Sequence, residues 1–211
     1  MNKELNLMRY PHAFIALFLI LSMEPAFAHH MMGGALPSNN FQGFISGVAH
    51  PIIGLDHLAF IVAIGLLATL IPGRSYLIPV VFVLATIGGT AIHLAQVSVA
   101  YNEAVVAVSV IAAGFLLLYR SLKSTAGLLL FCAISGVSHG YAYGEAIVGA
   151  ETAPLVAYLA GFCTIQLSIA IGVYLLFSAS QTKKYFSADR ILRFSGITIS
   201  VLGAAVFAVS N

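Results

Sequence analysis

The chain has 211 residues, of which 60% are hydrophobic and only 8% are charged. Soluble domains carry about 25% charged residues, so this composition excludes a soluble globular protein. Hydrophobic stretches of about 20 residues recur along the chain and indicate a polytopic helical membrane protein, with the lipid bilayer as its environment. No basic stripe with interleaved aromatic residues is present, so nucleic acid is not an expected partner.

The first 28 residues have the pattern of a cleavable secretory signal peptide. A basic amino-terminal region precedes an apolar region at 13–21 and a small-residue cleavage site at 26–28. Cleavage there leaves a mature chain that begins with His29 and His30, followed by two methionines. Imidazoles and thioethers suit transition metals, so this segment is either a metal-capture site or a disordered polar tail.

Residues 29–211 are predicted to form a single transmembrane domain. Glycine, proline, asparagine and charged residues separate spans near 51–71, 76–100, 103–119, 125–148, 153–178 and 191–209. A short amphipathic or re-entrant stretch at 41–49 leads into the first span. The expected fold is therefore an all-α membrane protein, a bundle of six transmembrane helices after a cleavable signal peptide.

The basic residues predict the orientation of this bundle. Every lysine and arginine downstream of the signal peptide lies in or beside the loops at 72–75, 120–124 and 179–190. The other loops hold Glu103 and Glu151 and no basic residue. By the positive-inside rule, we expect an inner (plasma) membrane protein with both mature termini outside the cytoplasm. The oligomeric state stays open.

Glycines recur at helical spacing in the predicted spans. Gly136, Gly140 and Gly144 follow one another at four-residue intervals in the fourth span. Such spacing allows the backbone of a neighbouring helix to approach closely. Glycines in the second and sixth spans are predicted to act in the same way.

Six ionisable side chains lie in or at the ends of the predicted spans: His50, Asp56, His57, His93, His139 and Glu145. A residue before proline avoids the helical conformation, so we expect His50, before Pro51, at the outer mouth of the first span. Helical rise places Asp56 and His57 about 9–10 Å deeper, and His93 and His139 about 10–14 Å below the outer surface. The six residues form one polar cluster if the first, second and fourth spans are neighbours.

The residue types in this cluster point to metal binding. Imidazole and carboxylate groups are ligands for divalent first-row ions, although they also form proton relays in membrane proteins. A charged residue at the bilayer centre costs about 2.5–3.5 kcal/mol, so its presence indicates a functional role. We therefore predict that the six residues form a metal site, with His29 and His30 as further candidate ligands.

Two segments of the sequence resemble the HupE/UreJ family. The stretch HPIIGLDH at 50–57 is similar to the family's first-span signature H-P-x-x-G-x-D-H, and SHGYAYGEA at 138–146 is similar to its fourth-span motif. The resemblance implies a nickel permease serving hydrogenase or urease, with cobalt handled by some relatives. It also implies metal-site roles for the motif residues at 50, 56, 57, 139 and 145. Tyr141 and Tyr143 stand where many relatives have histidines, which leaves the choice of metal open.

We expect a secondary permease for a divalent transition-metal ion, nickel or else cobalt, and not an enzyme. The sequence has no G-x-x-x-x-G-K-[ST] loop, so we expect no ATP hydrolysis. One alternative is an intramembrane zinc-dependent hydrolase that activates a water molecule on a histidine- and aspartate-bound ion. Another is a copper-handling membrane protein that uses the His-His-Met-Met amino terminus. No catalytic cofactor is expected, because the metal ion is the cargo.

Overall fold

The computed structural model describes residues 35–71, 73, 76–120, 124–183 and 187–210. All regular secondary structure in these residues is α-helical, which confirms the all-helical prediction for this part of the chain. The described helices are α1 (Asn40–Ile53), α2 (Leu55–Ala68), α3 (Leu77–Leu94), α4 (Asn102–Tyr119), α5 (Thr125–Glu145), α6 (Thr152–Lys183) and α7 (Ala188–Ser210). The predicted signal peptide, with His29 and His30 after it, lies outside the described residues.

Five of these helices, α3 to α7, are long and apolar enough to cross a membrane. Helices α1 and α2 have 14 residues each, so each is about 21 Å long and too short to cross a hydrocarbon core of ~30 Å. Together they pass the same test, although their axes diverge by 81° at the break between them. The described residues therefore contain six spans only when this bent pair is counted as one broken span.

The first span is broken at Gly54, and His50 lies inside helix α1 and not before the start of the span, which corrects the sequence-based expectation. Pro51 lies inside α1, and the helix continues to Ile53 before Gly54 takes an extended conformation with φ −70° and ψ 100°. The conformational preference of a residue before proline is local. Helix α1 instead packs along α6, and this packing outweighs the local preference.

Three pairs of helices pack closely through glycines: α1 with α6, α3 with α5, and α4 with α7. In the second pair, a Cβ atom at Gly136 would meet the backbone oxygen of Phe82. One turn later, a Cβ atom at Gly140 would meet the backbone of Thr86. The predicted role of the four-residue glycine spacing is therefore confirmed, because no side chain larger than hydrogen fits between these backbones.

Helix α2 lies at the centre of the bundle. It contacts α1, α3, α4, α6 and α7, and its side chains from Phe60 onwards are mostly buried. Gly65 permits close contact with α6 at Ala170. Because other helices surround α2, the polar residues at its amino-terminal end lie inside protein and not in lipid.

The outward faces of the long helices are apolar. Leu84 on α3, Leu130 on α5 and Leu176 on α6 have exposed fractions of 60%, 62% and 74%. Soluble monomers rarely expose such surfaces over a large area. Hydrocarbon is the environment that matches these faces, so the bundle is that of a multi-pass membrane protein.

Opposite charges lie at opposite ends of helix α4. At its carboxyl end, Arg120 forms an ion pair of 2.8 Å with Asp189 of α7, which also pairs with Arg193. At its amino end, Glu103 lines the same cleft as Glu145 of α5. The arginine-bearing end is the one that the positive-inside rule assigns to the cytoplasm.

Candidate metal site

The break between α1 and α2 brings three of the predicted site residues into the bundle. His50 lies in the last turn of α1, and Asp56 and His57 lie in the first turn of α2. Their exposed fractions are only 5%, 7% and 1%. The Oδ1 atom of Asp56 accepts a hydrogen bond of 2.8 Å from the backbone N–H of His57. This carboxylate therefore lies at a helix amino terminus, where the helix dipole stabilises negative charge.

A glycine is needed at position 54 because any larger residue would collide with the side chain of His57 and crowd that of Asp56. Its φ of −70° is accessible to any residue. However, a Cβ atom there would lie 2.6 Å from Cδ2 of His57 and 3.3 Å from Oδ1 of Asp56. The missing side chain at this position therefore allows the imidazole and the carboxylate to pack against the break.

Helix α5 contributes His139, which is completely buried. Its Nδ1 atom lies 2.9 Å from Nδ1 of His57, and its Nε2 atom lies 2.9 Å from Oγ of Ser109 on α4. Phe60 and Phe82 pack against its ring, with centroid distances of 4.3 and 6.0 Å. Both ring nitrogens of His139 therefore bind protein groups.

Two tyrosines pack beside the histidines. The ring of Tyr143 lies 4.5 Å from that of His57 and 5.2 Å from that of His50, and the hydroxyl of Tyr158 donates to the backbone oxygen of Tyr143 at 3.0 Å. Among the described residues, the buried polar atoms without a hydrogen-bond partner include the Tyr143 hydroxyl, Oε1 of Gln166, Nδ1 of His93 and Oδ1 of Asn102. Buried polar atoms are normally paired, so the Tyr143 hydroxyl, on a ring that packs beside His50 and His57, marks a place for a ligand or ordered water.

His93 and Glu145 lie in a different place. They line an open cleft of about 410 Å³ with Asn102, Glu103 and Tyr141, where α3 and α5 end and α4 begins. The ring of His93 packs against that of Tyr141 at a centroid distance of 4.4 Å. The structure therefore brings together His50, Asp56, His57 and His139, which we call the buried cluster, and places His93 and Glu145 in the outer cleft.

Helical phase explains this separation. His93 packs against Gly144, on the glycine-lined face of α5 that contacts α3. His139 and Tyr143 point from the adjacent face of α5 towards His57. Residues at similar depths on α3 and α5 therefore point in different directions.

The buried cluster is not a closed metal cage in this conformation. No three His, Cys, Asp or Glu side chains within the described ranges are arranged so that they could hold a metal ion. The cluster combines imidazole and carboxylate groups with a helix break, inside protein and beside unpaired polar atoms. Binding of a divalent cation here would require further side chains to move towards the ion.

Ser109, which contacts His139, was not predicted from the sequence. A lone serine in a hydrophobic span matches no motif. Its depth was nevertheless informative, because Ser109 lies seven residues from the start of α4 and His139 six residues from the end of α5. Helical rise places both about 9–10 Å from the same end of the bundle.

Comparison with known proteins agrees with the motifs. A family model described as HupE / UreJ protein matches residues 17–206. Protein HupE of Rhizobium leguminosarum bv. viciae is 24% identical over 184 residues, which cover 86% of this chain and 91% of that relative. No solved structure gives a significant match. Because the family model spans nearly all of the sequence, including both histidine motifs, the chain belongs to the HupE/UreJ family.

Proposed function

We propose that this protein is a secondary permease for a divalent transition-metal ion, nickel first and cobalt second, which binds at the break between α1 and α2. One observation carries the proposal: a helix is interrupted inside the bundle, with His50 on one side and Asp56 and His57 on the other. In membrane transporters, discontinuous helices supply helix ends and side chains to the substrate site.

The break offers a cation several favourable partners. The carboxyl end of α1 has the negative end of a helix dipole and carbonyl groups that no longer accept helical hydrogen bonds. Asp56 adds a formal negative charge, and His57 adds an imidazole. A buried ion needs such compensation, because removing it from water costs several kcal/mol even after the protein relaxes.

The donor types suit several first-row ions, and the HupE/UreJ resemblance ranks nickel and cobalt first among them. Imidazole suits nickel, zinc and copper, whereas thiolates select copper(I) and zinc. Cys132 lies in the hydrophobic core and Cys163 packs against that core, so neither cysteine belongs to the buried cluster. The resemblance to HupE/UreJ proteins implies the same class of ion.

We place the ion in the buried cluster and not in the outer cleft. Glu103 and Glu145 in the cleft are exposed, so water competes with them for a cation. Their negative charge still raises the local concentration of cations at this end of the bundle. With this end outside the cell, an inside-negative potential favours entry by ~2.3 kcal/mol per charge per 100 mV, about twice that for a divalent ion.

A zinc-dependent hydrolase, the alternative function, would need a different arrangement of ligands. A catalytic zinc is held by three protein ligands and keeps one position for water. A permease must release its ion after binding it. Ligands that come together only when the ion is present therefore suit a permease better than a preformed site does. Among the described residues, no three His, Cys, Asp or Glu side chains are arranged as a catalytic zinc site requires.

Uptake into proteoliposomes under an imposed inside-negative potential tests the proposal, with nickel, cobalt, copper and zinc compared in parallel. We expect uptake of nickel, and its loss in His57→Gln, which keeps a polar side chain but removes the imidazole. His93→Gln is the matched control, because His93 packs in the outer cleft. Folded protein that transports none of the four ions would refute the permease, and equal losses in both variants would refute this placement of the ion.

A further inference from the structure

A chain of hydrogen bonds connects His57 to the backbone of α4. The Nδ1 atoms of His57 and His139 are 2.9 Å apart, and Nε2 of His139 is 2.9 Å from Oγ of Ser109. The Ser109 hydroxyl in turn donates to the backbone oxygen of Val106 at 2.7 Å. All four residues are buried, so bulk water does not compete for these bonds.

The last bond determines the direction of the others. A hydroxyl has one proton, and because Ser109 donates it to Val106, its oxygen accepts from His139, whose Nε2 atom must therefore carry a proton. A neutral imidazole carries a single ring proton, so Nδ1 of His139 is an acceptor and Nδ1 of His57 is the donor. The lone pair of His57 is then on Nε2.

We infer that His139 and Ser109 are positioning residues that fix His57 in the tautomer whose Nε2 atom binds the transported ion. This inference rests on the proposed function. Histidines that bind metals generally donate their other ring N–H to a protein acceptor, which fixes the tautomer and the ring orientation. In this site the acceptor is a second imidazole, which Ser109 holds in place.

The same geometry distinguishes His139 from a ligand, the role that its motif suggested. Both of its nitrogens are engaged, and the rings of Phe60 and Phe82 pack against it. Coordination by His139 would first require one of its two hydrogen bonds to break.

The tautomers can be measured in metal-free protein. In full-length protein labelled with ¹⁵N-histidine in lipid nanodiscs, ring nitrogen shifts distinguish protonated from unprotonated atoms. We expect His57 to be protonated at Nδ1 and His139 at Nε2, with signals assigned from His57→Gln and His139→Gln. The opposite tautomer for either ring overturns the inference, whether or not the protein transports metal.

Removing the serine hydroxyl tests its role in binding. In Ser109→Ala we expect His139 to populate both tautomers and the Ni²⁺ affinity to fall about 10- to 100-fold, as for other changes to groups that orient a metal-binding histidine. Ser109→Thr should restore the single tautomer and the Ni²⁺ affinity, because a threonine hydroxyl can make the same bond. Thr86 shows this, since its hydroxyl donates to the carbonyl three residues earlier at 2.7 Å. Ser180→Ala is the matched control, since its Oγ makes this bond at 2.7 Å at the far end of α6.

Each result decides between the alternatives. Unchanged tautomers and unchanged Ni²⁺ affinity in Ser109→Ala overturn the inference. So does a shift of a His139 nitrogen to the position of a metal-bound imidazole when diamagnetic Zn²⁺ is added. If the wild-type protein shows the expected tautomers but binds no metal, the proposed function is wrong, and so is the role of His139 and Ser109 in positioning a metal ligand. The direction of the hydrogen bonds would still be confirmed.

Discussion

The imidazoles of His57 and His139 meet through their Nδ1 atoms at 2.9 Å, although 82 positions separate them in the sequence. His57 lies at the start of α2, just after the break, and His139 lies within α5. Their contact joins the two histidine motifs of the chain into one buried site. Through this contact, the orientation of the His57 ring depends on that of His139.

The space at Gly54 predicts the effect of the smallest possible side chain there. In Gly54→Ala, the added Cβ atom would lie 2.6 Å from Cδ2 of His57 and must displace the imidazole. We expect Ni²⁺ binding, measured by isothermal titration calorimetry, to weaken about 10- to 100-fold, the range seen when the support of a metal ligand is disturbed. Gly88→Ala is the control, because nothing lies within 4 Å of a Cβ at that position. Equal affinities in the two variants would contradict this account of the break.

The charge of Asp56 can be removed while its hydrogen bond is kept. In Asp56→Asn, the side-chain oxygen still accepts from the backbone N–H of His57, and the lost interaction of the charge with the helix dipole is worth only about 0.3–1 kcal/mol. We therefore expect the melting temperature to change little and Ni²⁺ uptake to fall at least tenfold, because the ion loses its compensating charge.

Asp189→Asn is the control for this change of charge. Asp189 is half exposed and pairs with Arg120 and Arg193, and exposed ion pairs contribute only about 0–1 kcal/mol to stability. We expect normal uptake from this variant. Normal uptake from Asp56→Asn as well would show that the buried carboxylate does not serve the ion.

The contact between α3 and α5 predicts a loss of stability. In Gly140→Ala, the new methyl group would meet the backbone of Thr86, which cannot move as a flexible side chain can. Overpacking of this kind costs about 1–3 kcal/mol, and we expect a lower melting temperature in detergent. Gly172→Ala should show no such loss, since a Cβ there meets nothing within 4 Å. Equal melting temperatures would mean that the helices separate without cost.

The orientation of the bundle can be tested by labelling single cysteines. In a background with Cys132→Ala and Cys163→Ala, a membrane-impermeant maleimide added to intact cells should label Tyr101→Cys, which replaces a side chain that is 82% exposed. Ser187→Cys, at an exposed residue just before α7, should react only after permeabilisation, because the positive-inside rule places this end of α7 in the cytoplasm. Labelling in the reverse order would invert the proposed topology.

Several properties of this protein follow from local features of its sequence. Long hydrophobic runs become helices because a backbone without water must form its own hydrogen bonds. The glycine spacing at 136, 140 and 144 predicts a close helix contact because residues four apart share one helix face. Helical rise also estimates how far a residue lies from the end of a continuous helix, as for Ser109 and His139. It fails across the 81° bend between His50 and His57, whose rings lie only 5.9 Å apart.

Two kinds of property were decided only by the tertiary structure. One is the direction in which a side chain points around its helix axis, and the other is the outcome where local conformational preference and packing oppose each other. Packing of α1 on α6 keeps His50 and Pro51 inside a helix, and the chain breaks only at Gly54. His93 and His139 lie at similar depth but on helix faces that contact different neighbours. His93 packs against Gly144 of α5, whereas His139 contacts Ser109 of α4. Ser109 joined the site for the same reason. Rise per residue is constant in a helix, whereas the direction of a side chain has meaning only once the neighbouring helices are in place.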